Sequence, residues 1–179
     1  VAGCKFWDPD PLANVGLEES HGVVLTKVDG ATLERLQFDS MGDESIDVIL
    51  SSNVRILNNR VRNGNAASSG SYAGSISINS SSRIQIRGNI IEEQANGSAI
   101  RVEVHRAGTT ADYISIADNQ IFVTHDRRNL GFTSGSAINI IPAANSTTSL
   151  TIIGNQIVEP FRYGIVVKPI LGAEASAVV

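Results

Sequence analysis

Three ionisable side chains alternate with two valines in the segment Arg101-Val-Glu-Val-His105. Alternate residues of an extended strand point to the same side, so Arg101, Glu103 and His105 are predicted to share one outward face. A guanidinium at this place could bind an acidic sugar, and Glu103 or His105 could then move a proton on it. The competing interpretation is that these charges only decorate the solvent face of a strand.

A second group of candidates is the acidic stretch Gly42-Asp-Glu-Ser-Ile-Asp-Val48. Asp43, Glu44 and Asp47 place three oxygen donors within five residues, which could supply part of a calcium site. Calcium takes six to eight oxygen ligands, so further donors would be required. The alternative is an acidic turn that holds no ion.

The elements that position these residues are predicted from an internal repeat. Four segments align without gaps, with aliphatic residues at the first, third and eighth positions and asparagine at the sixth. They are Val54 to Val61, Ile84 to Ile91, Ile114 to Ile121 and Leu150 to Ile157. The aligned asparagines Asn59, Asn89, Asn119 and Asn155 are predicted to stack in one internal row. Two degenerate copies place Leu36 and Cys4 in the asparagine position.

A second strand, alternating apolar with mostly polar residues, precedes each complete copy. Starting from Val23, its first aliphatic residue recurs after 23, 30, 24, 38 and 27 residues. A coil of about 23 residues with loop insertions explains this series, since stacked coils close a continuous aliphatic core. We therefore predict an all-β solenoid of about six coils, one domain over residues 1–179, as a segment of a longer helix.

The outward residues of the preceding strand form two rows in this arrangement. The first row reads Val24, Asp47, Ser77, Arg101, Asn139 and Val166, and the second reads Thr26, Ile49, Asn79, Glu103, Ile141 and Lys168. Hydrolysis by two carboxylates needs a partner for Glu103, and Asp47 is the nearest acid. Glu103 lies two coils and two residues away from Asp47. At ~4.8 Å per coil and ~3.3 Å per residue, their Cα atoms are about 12 Å apart. Side chains at that distance could converge towards the ~6.5–9.5 Å of inverting glycosidases.

The repeat resembles that of the pectate-lyase-like superfamily of right-handed parallel β-helices, which includes polysaccharide lyases, polygalacturonase-like hydrolases and bacteriophage tailspikes. The resemblance implies that the outward face of the preceding strand is a binding groove. Glu103, His105 and Asp47 are then the catalytic candidates. The predicted substrate-binding residues are Arg101, Ser77, Asn79, Asn139, Lys168, Tyr72 and Tyr163.

The acidic stretch is similar to a calcium-binding stretch of the pectate lyases, and Asp43, Glu44 and Asp47 match its carboxylates. The Arg-x-Pro-x-x-Arg catalytic motif of that family is not found in this sequence. We therefore predict no cofactor, with calcium as the one alternative. The three histidines, His21, His105 and His125, are too scattered along the sequence to predict a metal site.

Composition narrows the classes of partner. A net charge of −4 argues against a nucleic-acid binder, which would show a basic stripe. No apolar run approaches the roughly 18 residues of a membrane span. Cys4 is the sole cysteine, so an internal disulfide is impossible.

Three functions remain open. The first is an extracellular carbohydrate-active protein that binds a polysaccharide and cleaves it as a lyase or a hydrolase. The second is a tailspike or surface adhesin that binds host glycan and forms a homotrimer, which the outward aliphatics Val24, Ile49, Ile141 and Val166 favour. The third is a purely structural solenoid. The first two predict a location outside the cell or on a virion surface.

Overall fold

A computed structural model describes residues 1–7, 21–64, 74–92, 97–104, 109–122, 136–142, 147–158, 163–168 and 174–178. These residues form eighteen β-strands and no α-helix. None of them belongs to a helix long and apolar enough to cross a membrane.

The strands form three parallel sheets, and each sheet takes every third strand of the chain. Sheet one contains β2 (Val23–Thr26), β5 (Ile46–Ile49), β8 (Gly74–Asn79), β11 (Ser98–Glu103), β14 (Ser136–Ile141) and β17 (Tyr163–Val167). Sheet two contains β3 (Asp29–Glu34), β6 (Ser52–Leu57), β9 (Ser82–Arg87), β12 (Ala111–Ala117), β15 (Thr147–Ile153) and β18 (Glu174–Val178). Sheet three contains β1 (Lys5–Trp7), β4 (Gln37–Asp39), β7 (Arg60–Arg62), β10 (Ile90–Glu92), β13 (Gln120–Phe122) and β16 (Gln156–Val158).

One strand from each sheet makes one coil, so the prediction of a parallel solenoid of about six coils is confirmed. The register is also the predicted one. Ile46, Ile76, Ile100 and Ile138 lie side by side in sheet one, and Val54, Ile84, Ile114 and Leu150 in sheet two. β-branched residues at alternate positions suit such strands because they fill the pleated surface with few rotamers. Their inward rows form the core.

The four asparagines stack in one internal row, as predicted. Oδ1 of Asn89 accepts hydrogen bonds from the backbone N and from Nδ2 of Asn59, at 2.9 and 3.0 Å. Nδ2 of Asn89 donates to Oδ1 of Asn119 at 2.9 Å and to the backbone oxygen of Ile56 at 3.0 Å. Asn119 bonds Asn155 in the same way. Asn59, Asn89 and Asn119 are buried and Asn155 is partly exposed, so the amides satisfy each other and the bend backbone at positions that are largely shielded from water.

The degenerate copies occupy the predicted positions. Leu36 is buried in the asparagine row, and its backbone N donates to Oδ1 of Asn59 at 2.9 Å. Cys4 lies at the same bend of the first coil and is exposed. Phe6 and Phe38, two residues after these positions, stack with ring centroids 4.9 Å apart. The stacked rings thus join the first two coils on sheet three, beside the bend at which the amide row has ended.

The residue before each stacked position takes a left-handed backbone conformation, with φ between 53° and 69°. The residues concerned are Gly3, Arg35, Asn58, Gly88, Asp118 and Gly154. Glycine, asparagine and aspartate tolerate this conformation best, which explains their use in the fifth position of the repeat.

A second polar row, which the repeat did not reveal, lies at the bend between sheets one and two. Oγ of Ser81 accepts a hydrogen bond from the backbone N of Ser51 at 2.9 Å, and Oγ of Ser51 accepts one from the backbone N of Val28 at 3.0 Å. Both hydroxyls also donate to backbone oxygens of their own bend. Buried serines thus bond the backbone groups of this bend, as the asparagines do at the bend between sheets two and three.

Candidate functional site

The two predicted outward rows are present on sheet one. Asp47, Ser77, Arg101 and Asn139 pair as neighbours across four coils, and Ile49, Asn79, Glu103 and Ile141 form the adjacent row. The predicted offset of Glu103 from Asp47, two coils and two residues, follows directly from this register.

The four central residues of the first row are buried, whereas Val24 and Val166 at its ends are exposed and partly exposed. Arg101 is 1% exposed and Asp47 is 6% exposed, and Ser77 and Asn139 are buried as well. Strand alternation predicted correctly that these side chains point away from the apolar core. It gave no information on whether that face is covered, which is a property of tertiary structure. Arg101 therefore does not decorate a solvent face.

Arg101 forms an ion pair with Glu103 on the same strand. The arginine side chain is 2% exposed and the glutamate side chain is 14% exposed. A buried guanidinium needs a counter-charge, since an isolated charge in a protein interior is strongly unfavourable. The direct contact of Arg101 with a ligand stays a prediction. Arg101 holds the Glu103 carboxylate, which reaches the surface.

The other acidic residue of this face, Asp47, is held by Asn79, whose Nδ2 donates to Oδ1 of Asp47 at 2.8 Å. Oγ of Ser77 lies 3.4 Å from Oε1 of Glu44 and donates to it. Asn79 is partly exposed, whereas Ser77 is buried. The predicted residues Asp47, Ser77 and Asn79 are thus brought together.

His21 completes this cluster and was missed as a site residue. Its Nδ1 lies 3.2 Å from Oε2 of Glu44, and its Nε2 lies 3.9 Å from Oδ2 of Asp43. Glu44 follows His21 by 23 residues, which is the length of the basic coil. That spacing is the signal that places the two residues side by side at the same bend.

The cluster changes the proton affinity of its members. The hydrogen bond to Glu44 raises the pKa of His21 to about 9, against the effect of burial, and the charges of Glu44, Asp43 and Asp47 add to it. Burial raises the pKa of Asp47 to about 6, and the charge of Glu44 adds to this rise. Burial opposes ionisation of Glu44 too, but its bonds with His21 and Asp43 hold its pKa below the usual value. A partly exposed cluster with such shifts is typical of functional sites.

The predicted calcium ligands are only partly grouped. Among the residues that the structure describes, the donors close enough for one ion belong to His21, Asp43 and Glu44, all within 4.8 Å of one another. Asp47 is not part of that group. One nitrogen donor and two carboxylates do not match the six to eight oxygens that calcium takes.

The comparison of the chain with protein families agrees with the geometry of its coils. The family described as right handed beta helix region matches residues 14–169. The chain belongs to this family. No curated protein and no solved structure matches it significantly.

Family membership fixes the fold of the right-handed β-helix but names no ligand, so the roles of the remaining predicted residues stay predictions. His105 and Tyr72 lie outside the described residues. Tyr163 is the first residue of β17, Lys168 follows the end of that strand, and both are exposed. Asn139 is buried beside Arg101.

A groove elsewhere on the β-helix contains none of the predicted site residues. It has a volume of about 190 Å³ and lies on sheet three, lined by Lys5, Gln37, Phe38, Asp39, Arg60 and Arg62. Glu92 binds Arg60 in this sheet, with Nη2 of Arg60 and Oε2 of Glu92 2.8 Å apart. Much of the positive charge of Arg60 is therefore already balanced.

The raised pKa of His21 predicts how stability of the β-helix depends on pH. Its contribution is fully present below the ordinary value of 6.5 and is lost as pH rises through about 9. Because the imidazole is partly exposed, solvent screening limits the loss in unfolding free energy to about 1 kcal/mol. Urea unfolding at several pH values between these limits, in EDTA, measures it. In His21→Gln the decline should disappear, and an equal decline in both proteins would contradict the role of His21.

Proposed function

We propose that this β-helix binds a polysaccharide on the outward face of sheet one and cleaves it by proton transfer at Asp47 and Glu103. The observation that carries the proposal is that each carboxylate has a dedicated polar partner on this face. Asn79 holds Asp47 and Arg101 holds Glu103. Burying charged groups in a sheet disfavours folding unless they are paired, and apolar residues would serve a structural solenoid as well or better.

The spacing of the two acids favours one type of cleavage. The register gives Cα atoms about 12 Å apart, from ~4.8 Å per coil and ~3.3 Å per residue. Side chains that lean towards each other reach the ~6.5–9.5 Å that leaves room for water in inverting hydrolysis, but not the ~5 Å of retaining enzymes. The raised pKa of Asp47 suits it to donate the proton, and Glu103 is then the base. Lyase cleavage is the alternative reaction on the same face.

The remaining polar residues of the face divide by exposure. Asn79, Lys168 and Tyr163 reach the surface and are proposed to contact sugar hydroxyls or ring faces. Ser77, Arg101 and Asn139 are buried, and we propose that they hold the exposed residues of this face in position. We propose that the protein works outside the cell or on a virion surface, where polysaccharides are met.

The test is a glycan-array screen, followed by product analysis on each bound polymer. We expect Asp47→Asn and Glu103→Gln each to lose at least ~100-fold in turnover while keeping most of the binding, because an amide retains the shape but moves no proton. A matched control is Asp39→Asn on sheet three. Saturated reducing ends indicate hydrolysis and unsaturated products indicate a lyase. Full turnover in both acid variants, or binding to no glycan, would overturn the proposal.

A second candidate function is a glycan-binding spike that assembles as a homotrimer. Val24 on the same face is 46% exposed, and Ile49, Ile141 and Val166 are partly exposed. Exposed aliphatics on one face favour contact with another copy of the chain. Light scattering after size exclusion would then give three times the chain mass, and Val24→Asp would reduce it. A monomer at every concentration contradicts the spike.

A further inference from the structure

We infer that His21, Asp43 and Glu44 bind a divalent cation of the zinc type, and that calcium is not the ion for which this cluster is built. These residues lie just before strands β2 and β5, at the edge of the proposed catalytic face. The inference rests on their geometry and does not depend on sugar binding.

The three residues converge because two neighbouring coils hold them. His21 directly precedes the bend that enters β2, and Asp43 and Glu44 precede β5 one coil later. The parallel hydrogen bonding continues beyond the strand ends, with the backbone N of Gly22 donating to the oxygen of Glu44 at 3.1 Å. The donors therefore come from two neighbouring coils, with Asp43 and Glu44 lying 22 and 23 residues after His21 in sequence. That distinguishes the site from an acidic turn.

Gly22 allows the close approach of these coils. A Cβ at this position would lie 2.5 Å from the backbone oxygen of Ser45 and 2.6 Å from the ring of Phe38. Any larger residue would therefore separate His21 from the Asp43–Glu44 bend. The sequence keeps the neighbour of His21 small at the point where the imidazole meets two carboxylates.

The distances suit a shared ion. Nε2 of His21 and Oδ2 of Asp43 are 3.9 Å apart, too far for a hydrogen bond. Two ligands of one tetrahedral zinc ion lie ~3.4 Å apart, given metal distances of ~2.0–2.2 Å. A shift of a few tenths of an ångström in each side chain would bring this pair to a common ion. One donor atom from each of His21, Asp43 and Glu44 lies within 4.8 Å of the other two, so Glu44 can supply the third ligand.

The nitrogen and oxygen donors of the three side chains determine which ions fit the site. An imidazole with two carboxylates suits zinc, manganese, cobalt or nickel, whereas calcium and magnesium take oxygen donors. Three protein donors would leave a further position for water, as in open zinc sites. Both carboxylates are partly exposed, with side chains 14% and 12% accessible, so an ion can enter from solvent.

The experiment uses the whole chain, stripped with EDTA and without sugar. Calorimetric titration with zinc chloride should give one site per chain, and calcium chloride should give no comparable binding. His21→Gln and Asp43→Asn should each weaken zinc binding at least tenfold, whereas Glu34→Gln, an equal change of charge on sheet two, should leave it unchanged. Cobalt should give an absorption spectrum of nitrogen and oxygen ligation that His21→Gln loses.

Several outcomes would overturn the inference. They are absence of zinc binding, calcium binding of equal strength that His21→Gln does not weaken, and zinc binding that survives both cluster variants. Circular dichroism of each metal-free variant checks its folding, and Asp43→Asn gives the test if His21→Gln does not fold. Zinc binding without glycan cleavage would support this site and contradict the proposed function. Cleavage without zinc binding would do the reverse.

Discussion

Ile78→Asp is expected to abolish the cooperative unfolding transition or to lower it by more than ~10 °C. Ile78 is fully buried between Val48 and Val102 in the inward row of sheet one, in a central coil. An unpaired carboxyl group there destabilises by several kcal/mol, and each kcal/mol lowers the melting temperature of a chain this long by ~2–4 °C. The total stability of such a domain is only about 5–15 kcal/mol. Thermal unfolding followed by circular dichroism measures the effect.

The matched control is Gln85→Asp, which places the same carboxylate on the outward side of sheet two in the same coil. Its neighbour across the sheet is Arg55, so the new charge is solvated and near a cation. We expect a change below about 1 kcal/mol. Similar melting of Ile78→Asp and the parent protein would contradict the inward position of Ile78.

Because the fold is a solenoid, the effect of Ile78→Asp is also expected to differ between coils. Each coil contacts only its neighbours, so a break at Ile78 should first remove the contacts of the coils on either side. Hydrogen exchange should therefore show the greatest loss of protection in strands β5, β8 and β11. Uniform loss along the chain would instead indicate that all the coils unfold as one cooperative unit.

The fold could be predicted because equivalent positions of the repeat occupy the same structural environment in several successive coils. Each of the four complete copies independently gives two inward aliphatics, one amide of the asparagine row and a bend, and the alignment of the copies matches the strand register. The serine row at Ser51 and Ser81 escaped prediction for the opposite reason. Serine is common in any turn, and its burial there is visible only in the structure.

The site was predicted less completely, for two physical reasons. Alternation along a strand predicts the side to which Arg101 and Asp47 point, but it does not predict how far that side is exposed to solvent, and both side chains are buried. His21 lies before the first aliphatic residue of its coil, outside the pattern that identified the repeat. Its 23-residue separation from Glu44 becomes meaningful only once the coil length is applied to polar residues.

Asn89→Ala is expected to lower the unfolding free energy by roughly 3–5 kcal/mol, because it combines a cavity with unsatisfied buried polar groups. The side chain of Asn89 accepts from the backbone N of Asn59 and donates to the backbone oxygen of Ile56. Without it, both backbone groups stay buried and lose these partners. Asn155→Ala is the graded control, since Asn155 is partly exposed at the other end of the row and should lose less. Equal losses at Asn89 and Asn155 would contradict the importance of burial.

Asn89→Leu separates the volume of the side chain from its hydrogen bonds. Leu36 shows that leucine fits this row when its backbone N can donate to the next asparagine, as it does to Asn59. In Asn89→Leu the backbone N of residue 89 can donate to Asn119 in the same way, and the larger leucine side chain leaves no cavity. We therefore expect it to be milder than Asn89→Ala by ~1–2 kcal/mol, measured by urea unfolding. The difference in unfolding free energy between the two variants measures the cost of the cavity. The stability still lost in Asn89→Leu measures the cost of leaving the backbone groups of Ile56 and Asn59 without these hydrogen bonds. If leucine were as damaging as alanine, hydrogen bonding rather than packing would dominate the stability of the row.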